Sequence, residues 1–311
     1  MSVESKLIDL KTKIECMADS ETKREMLART NEHLVKYDGK DVVVSLSEIE
    51  KEVRNKPLPI PIPSGITGLD ELLGYEGKKA GGFYRKNHYI LSAPPKSGKT
   101  AMMMELVTRM PHNEPMIIPL EQPAIELVET MVERGMKVPK AFAPYTNKIP
   151  DLKWVEDRIT EAVIKYNSDI VFIDHLAYLE ADEKNYNHNE HLKIRKLMHG
   201  LKWIAAELDI VIVTLVHINK HNPVEIPTTQ ALQGSSSIFQ EASGIIMLWR
   251  ETYMDSKEAK TTNKTLCMVQ ANRRTGQTGS IRLKMENFRF LEDKDITFHH
   301  EDNGGYGEYD S

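Results

Sequence analysis

The chain has 311 residues with a formal net charge of −5, of which 40% are hydrophobic and 28% charged, the balance of an ordinary globular protein able to bury one large core or two modest ones. No apolar run approaches the roughly 20 residues needed to cross a bilayer, and two cysteines, Cys16 and Cys267, are too few and too far apart for a disulfide framework or a zinc site. Mild acidity excludes a global attraction to nucleic acid, so any such binding must come from positive charge held locally in loops or a channel.

The first residues, Met1 to Lys6, lack the charged-then-apolar order of a secretory signal, and an intracellular location is expected. Residues 1–56 read as a separate helical segment. Val3, Leu7, Leu10, Ile14 and Met17 recur at steps of four and three, a narrow stripe suited to another helix. Met26, Leu27, Leu34 and Val35 offer a second apolar face, and Ser45 followed by Glu48 reads as a capping box opening a short third helix through Arg54. Such a segment is either a cap on the main domain or an arm that docks on a neighbouring subunit. Residues 57–63 alternate proline with apolar residues, which removes backbone donors and favours an extended connection. A second domain is expected over residues 64–292, followed by an acidic, glycine-containing tail over 293–311 with the composition of a disordered segment.

The second domain turns on residues 88–100. An apolar run ends in Ala93-Pro94-Pro95-Lys96-Ser97-Gly98-Lys99-Thr100, and a segment of strong helix propensity follows. This is a P-loop: backbone N–H groups cradle phosphate oxygens at a helix start, Lys99 neutralises the terminal phosphates, and Thr100 holds Mg²⁺. Ala93 stands where the usual pattern has glycine.

Residues 115–120 read as a return strand, with two prolines marking it as an edge or irregular segment, and it ends on Glu121. One helix and one strand separate Glu121 from Lys99, so both are expected at the carboxyl ends of parallel strands, where a carboxylate can polarise the water that attacks a γ-phosphate. Residues 151–166 form an amphipathic helix with Leu152, Val155, Ile159, Val163 and Ile164 inward. Residues 169–174 follow as a buried strand ending in Asp174, a Walker B pattern whose carboxylate would orient Mg²⁺. Residues 180–190 are polar and loop-like, and a helix over 192–208 returns to the strand 210–216, which delivers His217 where it could sense a γ-phosphate.

Several of these stretches resemble one family. Residues 64–74 resemble the Thr-Gly-x-x-x-Leu-Asp segment that opens ATPase domains of the RecA, RadA and DnaB group. Residues 201–213 are similar to the helix and strand before the Ser-Gln-Leu-Asn-Arg motif of DnaB-type replicative helicases. Val216-His217-Ile218-Asn219-Lys220 occupies the motif's place, with His as in phage primase-helicases and Twinkle. Residues 232–242 resemble the DNA loop and following helix of those enzymes, and 245–250 their next strand. Asn272-Arg273-Arg274-Thr275-Gly276-Gln277-Thr278-Gly279 resembles their arginine-bearing hairpin.

The resemblance, which spans residues 64–292, implies a RecA-like α/β fold with a mostly parallel sheet flanked by helices. It implies ATP and Mg²⁺ as cofactors, with residues 93–100 and Arg250 binding nucleotide. Glu121, Lys99 and His217 would be catalytic, Thr100 and Asp174 would serve the metal, and Arg273 would reach the neighbouring subunit's ATP. Asn219, Lys220, Gly234, Ser235 and Ser236 would contact single-stranded DNA in a homo-oligomer expected to be a hexameric ring, with priming, loading or polymerase functions supplied by other proteins. Ala271 stands where the family often carries a lysine, which leaves one contact to the neighbour's phosphate absent or supplied by Arg274. A recombination ATPase that forms filaments on DNA, or a non-motor regulatory ATPase, shares part of this set.

Overall fold

Runs of branched apolar residues, several closed by a polar side chain, build the parallel part of a single sheet in the computed structural model, which describes residues 3–37, 44–55, 59–75, 81–145, 150–180, 190–218, 222, 224–232, 235–255 and 258–296. The strands are β1 (Asn87–Ala93), β2 (Met116–Pro119), β3 (Ile170–Asp174), β4 (Val211–His217), β5 (Gly244–Asp255), β6 (Glu258–Asn272), β7 (Gly279–Glu286) and β8 (Arg289–Glu292). Among the described residues they lie in the order β2-β3-β4-β1-β5-β6-β7-β8. The first five are mutually parallel, and β5 to β8 form an antiparallel meander. β2 is the edge, consistent with Pro119 at its end.

The chain divides into Met1–Leu58 and Pro59–Ser311. The first unit contains α1 (Val3–Glu15), α2 (Glu21–Tyr37) and α3 (Leu46–Asn55). Among the stripe residues with described side chains, Ile14 is buried while Leu10 and Met17 are exposed. α3 starts at the expected box, with Glu48 N–H donating to Ser45 Oγ at 3.2 Å and Ser45 N–H to Glu48 Oε2 at 3.0 Å. It has no buried residue, and Leu46, Ile49 and Val53 are all exposed.

In the second unit, helices cover both faces of the parallel strands, so those strands read as continuous apolar runs rather than as alternating ones. On one face α7 (Leu152–Tyr166) and α8 (Glu190–Glu207) place Val155, Ile159, Leu197 and Leu201 in a cluster with Val171, Ile173 and Ile212. On the other, α4 (Thr67–Leu73) and α5 (Lys99–Arg109) place Leu69, Leu73, Met102 and Leu106 in a cluster with Leu91, Phe172 and Val213. α6 (Ala124–Glu133) follows β2, and α9 (Ser235–Glu241) precedes β5.

Two expectations are corrected. Ile164 is 75% exposed, because the buried positions of α7 are Val155, Ile159 and Ala162, and a residue five beyond Ile159 lies about 140° round the helix. The proline-rich stretch is also more than a connector: Ile62 is buried and pairs with Phe83, exchanging backbone hydrogen bonds of 2.7 and 2.8 Å, so its last residues belong to the second unit's core. Residues 181–189 of the polar loop, and the tail from 297, lie outside the described residues.

Candidate functional site

The site is built at the carboxyl ends of β1 to β4. β1 stops at Ala93, and the chain turns through Lys96 and Gly98, both with positive φ (63° and 88°), into α5. Gly98 is required twice: its backbone is left-handed, and an added Cβ would come within 3.1 Å of the buried Phe290 ring. Ala93 does not take a positive φ, so alanine serves there without strain. Lys99 opens α5 and Thr100 follows it, in the turn where the first N–H groups of the helix have no partner within it.

Lys99 is 7% exposed, and burial lowers its pKa to about 8, against the opposing pull of Asp174 and Glu121. Its Nζ donates to His217 Nδ1 at 3.2 Å. His217 ends β4, in register with Ala93 of β1, and burial first, then the Lys99 charge, holds its pKa below the usual imidazole range. Thr100 Oγ1 donates to Asp174 Oδ2 at 3.2 Å, and Asp174 Oδ1 is buried with no partner among the described residues. Burial raises the Asp174 pKa, with Lys99 opposing and Glu121 reinforcing. A buried carboxylate oxygen left open beside a helix-start hydroxyl is the donor set a hard cation with retained waters and phosphate oxygens would complete. Thr100 and Asp174 therefore fit Mg²⁺.

Glu121 follows β2 and precedes α6; its backbone N–H donates to Asp174 O at 3.0 Å, and the Leu120 N–H donates to the same oxygen. That fork holds the exposed Glu121 carboxylate where its charge acts on Lys99, Asp174 and His217. Lys99, Thr100, Glu121, Asp174 and His217 are thus brought together.

Sequence reasoning missed His175. It is buried beside Asp174, its Nδ1 accepts the Ala177 N–H at 3.1 Å, and its ring lies 3.8 Å from that of His217 at a tilt of 43°. Its Nδ1 must be unprotonated to accept, and burial, then the Lys99 and His217 charges, lowers its pKa to about 3. A polar residue directly after a strand-ending aspartate was the available signal.

Other expected residues stand apart from this cluster. Arg250 Nε donates to Thr262 O within the β5–β6 pair, at 2.5 Å, rather than to the P-loop. Arg273 lies in the turn between β6 and β7, where its guanidinium donates to Phe239 O, Gln240 O and Ala242 O at the end of α9. Asn219, Lys220 and Gly234 fall outside the described residues; Ser235 opens α9, and Ser236 is exposed one residue later. A bridge between the buried Ile218 and Leu232 brings the ends of those two segments to one place.

The two outer motifs touch. Asp70 accepts the Ser64 and Gly65 N–H groups at 2.6 and 3.3 Å and so fixes the turn before α4. Asn272 Nδ2 donates to Leu72 O and Leu73 O at 3.3 and 3.2 Å, which fastens the β6–β7 turn to the end of α4.

A parallel sheet with a phosphate loop after β1, acidic groups after β2 and β3 and an antiparallel extension beyond β5 defines the RecA-like P-loop class. The described fold aligns with a separately solved ATPase domain at a TM-score of 0.62 and 21% identity, covering 79% of this chain and 96% of that one. It aligns with a DnaB-like replicative helicase, solved for its interactions with primase, at 0.61 and 20% identity, covering 93% and 75%. Residues 143–291 match the model of the DnaB-like helicase C terminal domain. It is 23% identical over 300 residues to the replicative DNA helicase DnaB of Haemophilus influenzae (85% of this chain, 63% of that one). With the replicative DNA helicase DnaC of Bacillus subtilis it shares 24% over 278 residues (78% and 59%). The chain thus spans about three-fifths of the length of these curated relatives.

Proposed function

We propose that the chain is an ATP-driven motor that assembles as a ring around single-stranded DNA and unwinds duplex during replication, as the names of its relatives suggest. The observation that carries the reading is the meeting of Lys99, Thr100, Glu121, Asp174 and His217 at one end of the parallel strands.

In this reading the P-loop N–H groups and Lys99 hold the triphosphate, and the left-handed turn at Gly98 lets the backbone approach it. Mg²⁺ held by Thr100 and Asp174 would neutralise charge on the β- and γ-phosphates. The Glu121 carboxylate accepts the proton of the attacking water. His217, neutral and already bonded to Lys99, is placed to exchange that bond for one to the γ-phosphate, and it sits one residue before Ile218 and the segment that would meet DNA. Loss of the γ-phosphate would thereby be felt at Asn219 and Lys220. Gly234, Ser235 and Ser236 would add sequence-independent contacts to the DNA backbone. An arginine of the β6–β7 turn would complete the site from the adjoining copy, six copies closing the ring. The primase-interacting helicase among the structural neighbours makes primase a natural further partner. Among the described residues no helix is long and apolar enough to cross a membrane.

The test is ATP turnover with and without single-stranded DNA, followed by unwinding of a forked duplex. We expect DNA to stimulate turnover, the fork to open only with hydrolysable ATP, and Lys99→Ala to abolish both. Turnover indifferent to DNA, or undiminished in Lys99→Ala, contradicts the reading.

A further inference from the structure

His175, the first residue beyond β3, is tied in two directions. Towards β4, its ring centroid lies 3.8 Å from that of His217, at a tilt of 43°. Within its own segment, Nδ1 accepts the Ala177 N–H at 3.1 Å and so caps the single helical turn Leu176–Tyr178. Accepting there leaves the ring proton on Nε2, which is buried with no partner among the described residues. The Tyr178 ring stands edge-on to His175 at 5.9 Å, and Tyr178 is 51% exposed. Three rings, those of His217, His175 and Tyr178, thus lead in succession from the Lys99 ammonium to the surface. A cavity of about 60 Å³ lies between the His175–Ala177 segment, Val216 and the α8 residues Lys193, Ile194 and Leu197. That is about two water molecules' share of liquid, so the His175 ring has room to shift.

We propose that His175 is a positioning residue that couples the nucleotide state felt at His217 to the Leu176–Tyr178 turn after β3. This rests on the function proposed above and gives the signal a second exit, since Ile218 carries the first along β4. A ring packed this closely cannot turn without displacing its neighbour. When His217 exchanges its bond to Lys99 for one to a γ-phosphate, His175 therefore shifts, and the bond that caps Leu176–Tyr178 is re-aimed or released with it. Cap made and cap released are two discrete arrangements, which is what an element that couples two sites requires. The turn ends on the exposed Tyr178, whose ring is of the kind that stacks on a base, so the far end of the coupling lies at single-stranded DNA.

The test is equilibrium binding of a fluorescein-labelled single strand by the full chain, with a non-hydrolysable ATP analogue or with ADP, beside steady-state ATP turnover. The unaltered chain should bind the strand more tightly in one nucleotide state than in the other, by about 5- to 150-fold. His175→Asn keeps an acceptor for the Ala177 N–H but has no ring to meet His217, whereas His175→Phe keeps a ring and loses the acceptor. Each breaks one of the two ties. Each should bring the affinity ratio close to 1 and remove most of the DNA stimulation of turnover, with the KM for ATP kept. A residue that only holds the fold would lower the thermal midpoint and weaken strand binding equally in both nucleotide states; that result overturns the proposal, as does a ratio retained in either variant. An unaltered chain whose affinity for the strand ignores the nucleotide contradicts the proposed function itself, and the coupling with it.

Discussion

The parallel and antiparallel halves of the sheet solve different problems. Strands β1 to β4 carry their functional groups at strand ends, partly or wholly buried and already in contact: Lys99 with His217, Thr100 with Asp174. Strands β6 to β8 carry theirs in an exposed turn whose side chains rest on an aromatic ring and on a helix end. A group that must hold phosphate in its own chain benefits from being fixed and desolvated, whereas one that must reach another copy needs a rigid base and a releasable head. Under the proposed function, the first half would serve cis chemistry and the second trans chemistry.

The largest test of that division is on the parallel side. Glu121→Gln keeps the side chain's size and the backbone fork to Asp174 but removes the proton acceptor, so ATP turnover should fall by about 10²- to 10⁴-fold with nucleotide affinity little changed. Steady-state turnover beside equilibrium binding of ATP checks it. Turnover retained in Glu121→Gln would move the base elsewhere.

Next in size is the tie between the halves. Glu105 of α5 has a side chain that is fully buried, and it accepts from Arg109 Nε at 2.6 Å and from Arg289 of β8. Arg109 in turn donates to Gly65 O and Phe290 O at 2.6 and 3.0 Å. Glu105→Ala leaves two cations facing an apolar gap. Because Arg289 is 51% exposed and can rehydrate, the expected loss is about 2 kcal/mol rather than that of a sealed pair. Thermal or urea unfolding measures it, and an unchanged midpoint would mean that this buried ion cluster adds nothing to the joining of the halves.

A third test reads the core beneath the site. His88 of β1 is fully buried, its Nε2 is 2.8 Å from Thr214 Oγ1, and burial lowers its pKa to about 3. The folded chain keeps His88 neutral while the unfolded chain protonates it below about 6.5. The unfolded state then binds more protons between pH 6.5 and 3, so this contribution is whole above 6.5 and is lost as pH falls, with a slope approaching about 1.4 kcal/mol per pH unit. Urea unfolding from pH 7 to 4.5 should show at least that slope, with His175 adding its own, and the slope should fall by about 1.4 kcal/mol per pH unit in His88→Gln.

The smallest effect lies in the first unit. Ser45→Ala removes the α3 cap and should reduce stability there by about 1 kcal/mol, seen as lost helicity in circular dichroism or faster amide exchange over residues 46–49.

Much of the parallel half was legible in the sequence because its strands are continuous apolar runs, with β3 and β4 closed by the polar Asp174 and His217 and β1 and β2 followed within a few residues by polar ones. Lys99, Thr100, Glu121, Asp174 and His217, which the fold brings together, all stand at or just beyond the ends of such runs. The antiparallel half carries weaker signals. β6 contains Lys260, Thr261, Thr262, Asn263 and Lys264 before its apolar stretch, and such a ladder is specified by pairing with β5 rather than by its own composition. Side-chain commitments were not legible at all. Nothing in Arg273-Arg274 tells which guanidinium grips a helix and which rests on Tyr84, because the partners lie 31 or more residues away from Arg273 and farther still from Arg274. His175 offered only its place after Asp174: its significance comes from the His217 ring, which the adjacency of β3 and β4 supplies.

The most direct measurement of the division is the specific rate of ATP hydrolysis as protein concentration is raised through the range in which copies assemble, with mass followed by light scattering. If half of each site is lent by a neighbour, the rate per chain should be near zero for the single copy and climb in step with assembly. A rate per chain that is already maximal in the monomer, and flat through assembly, contradicts the account.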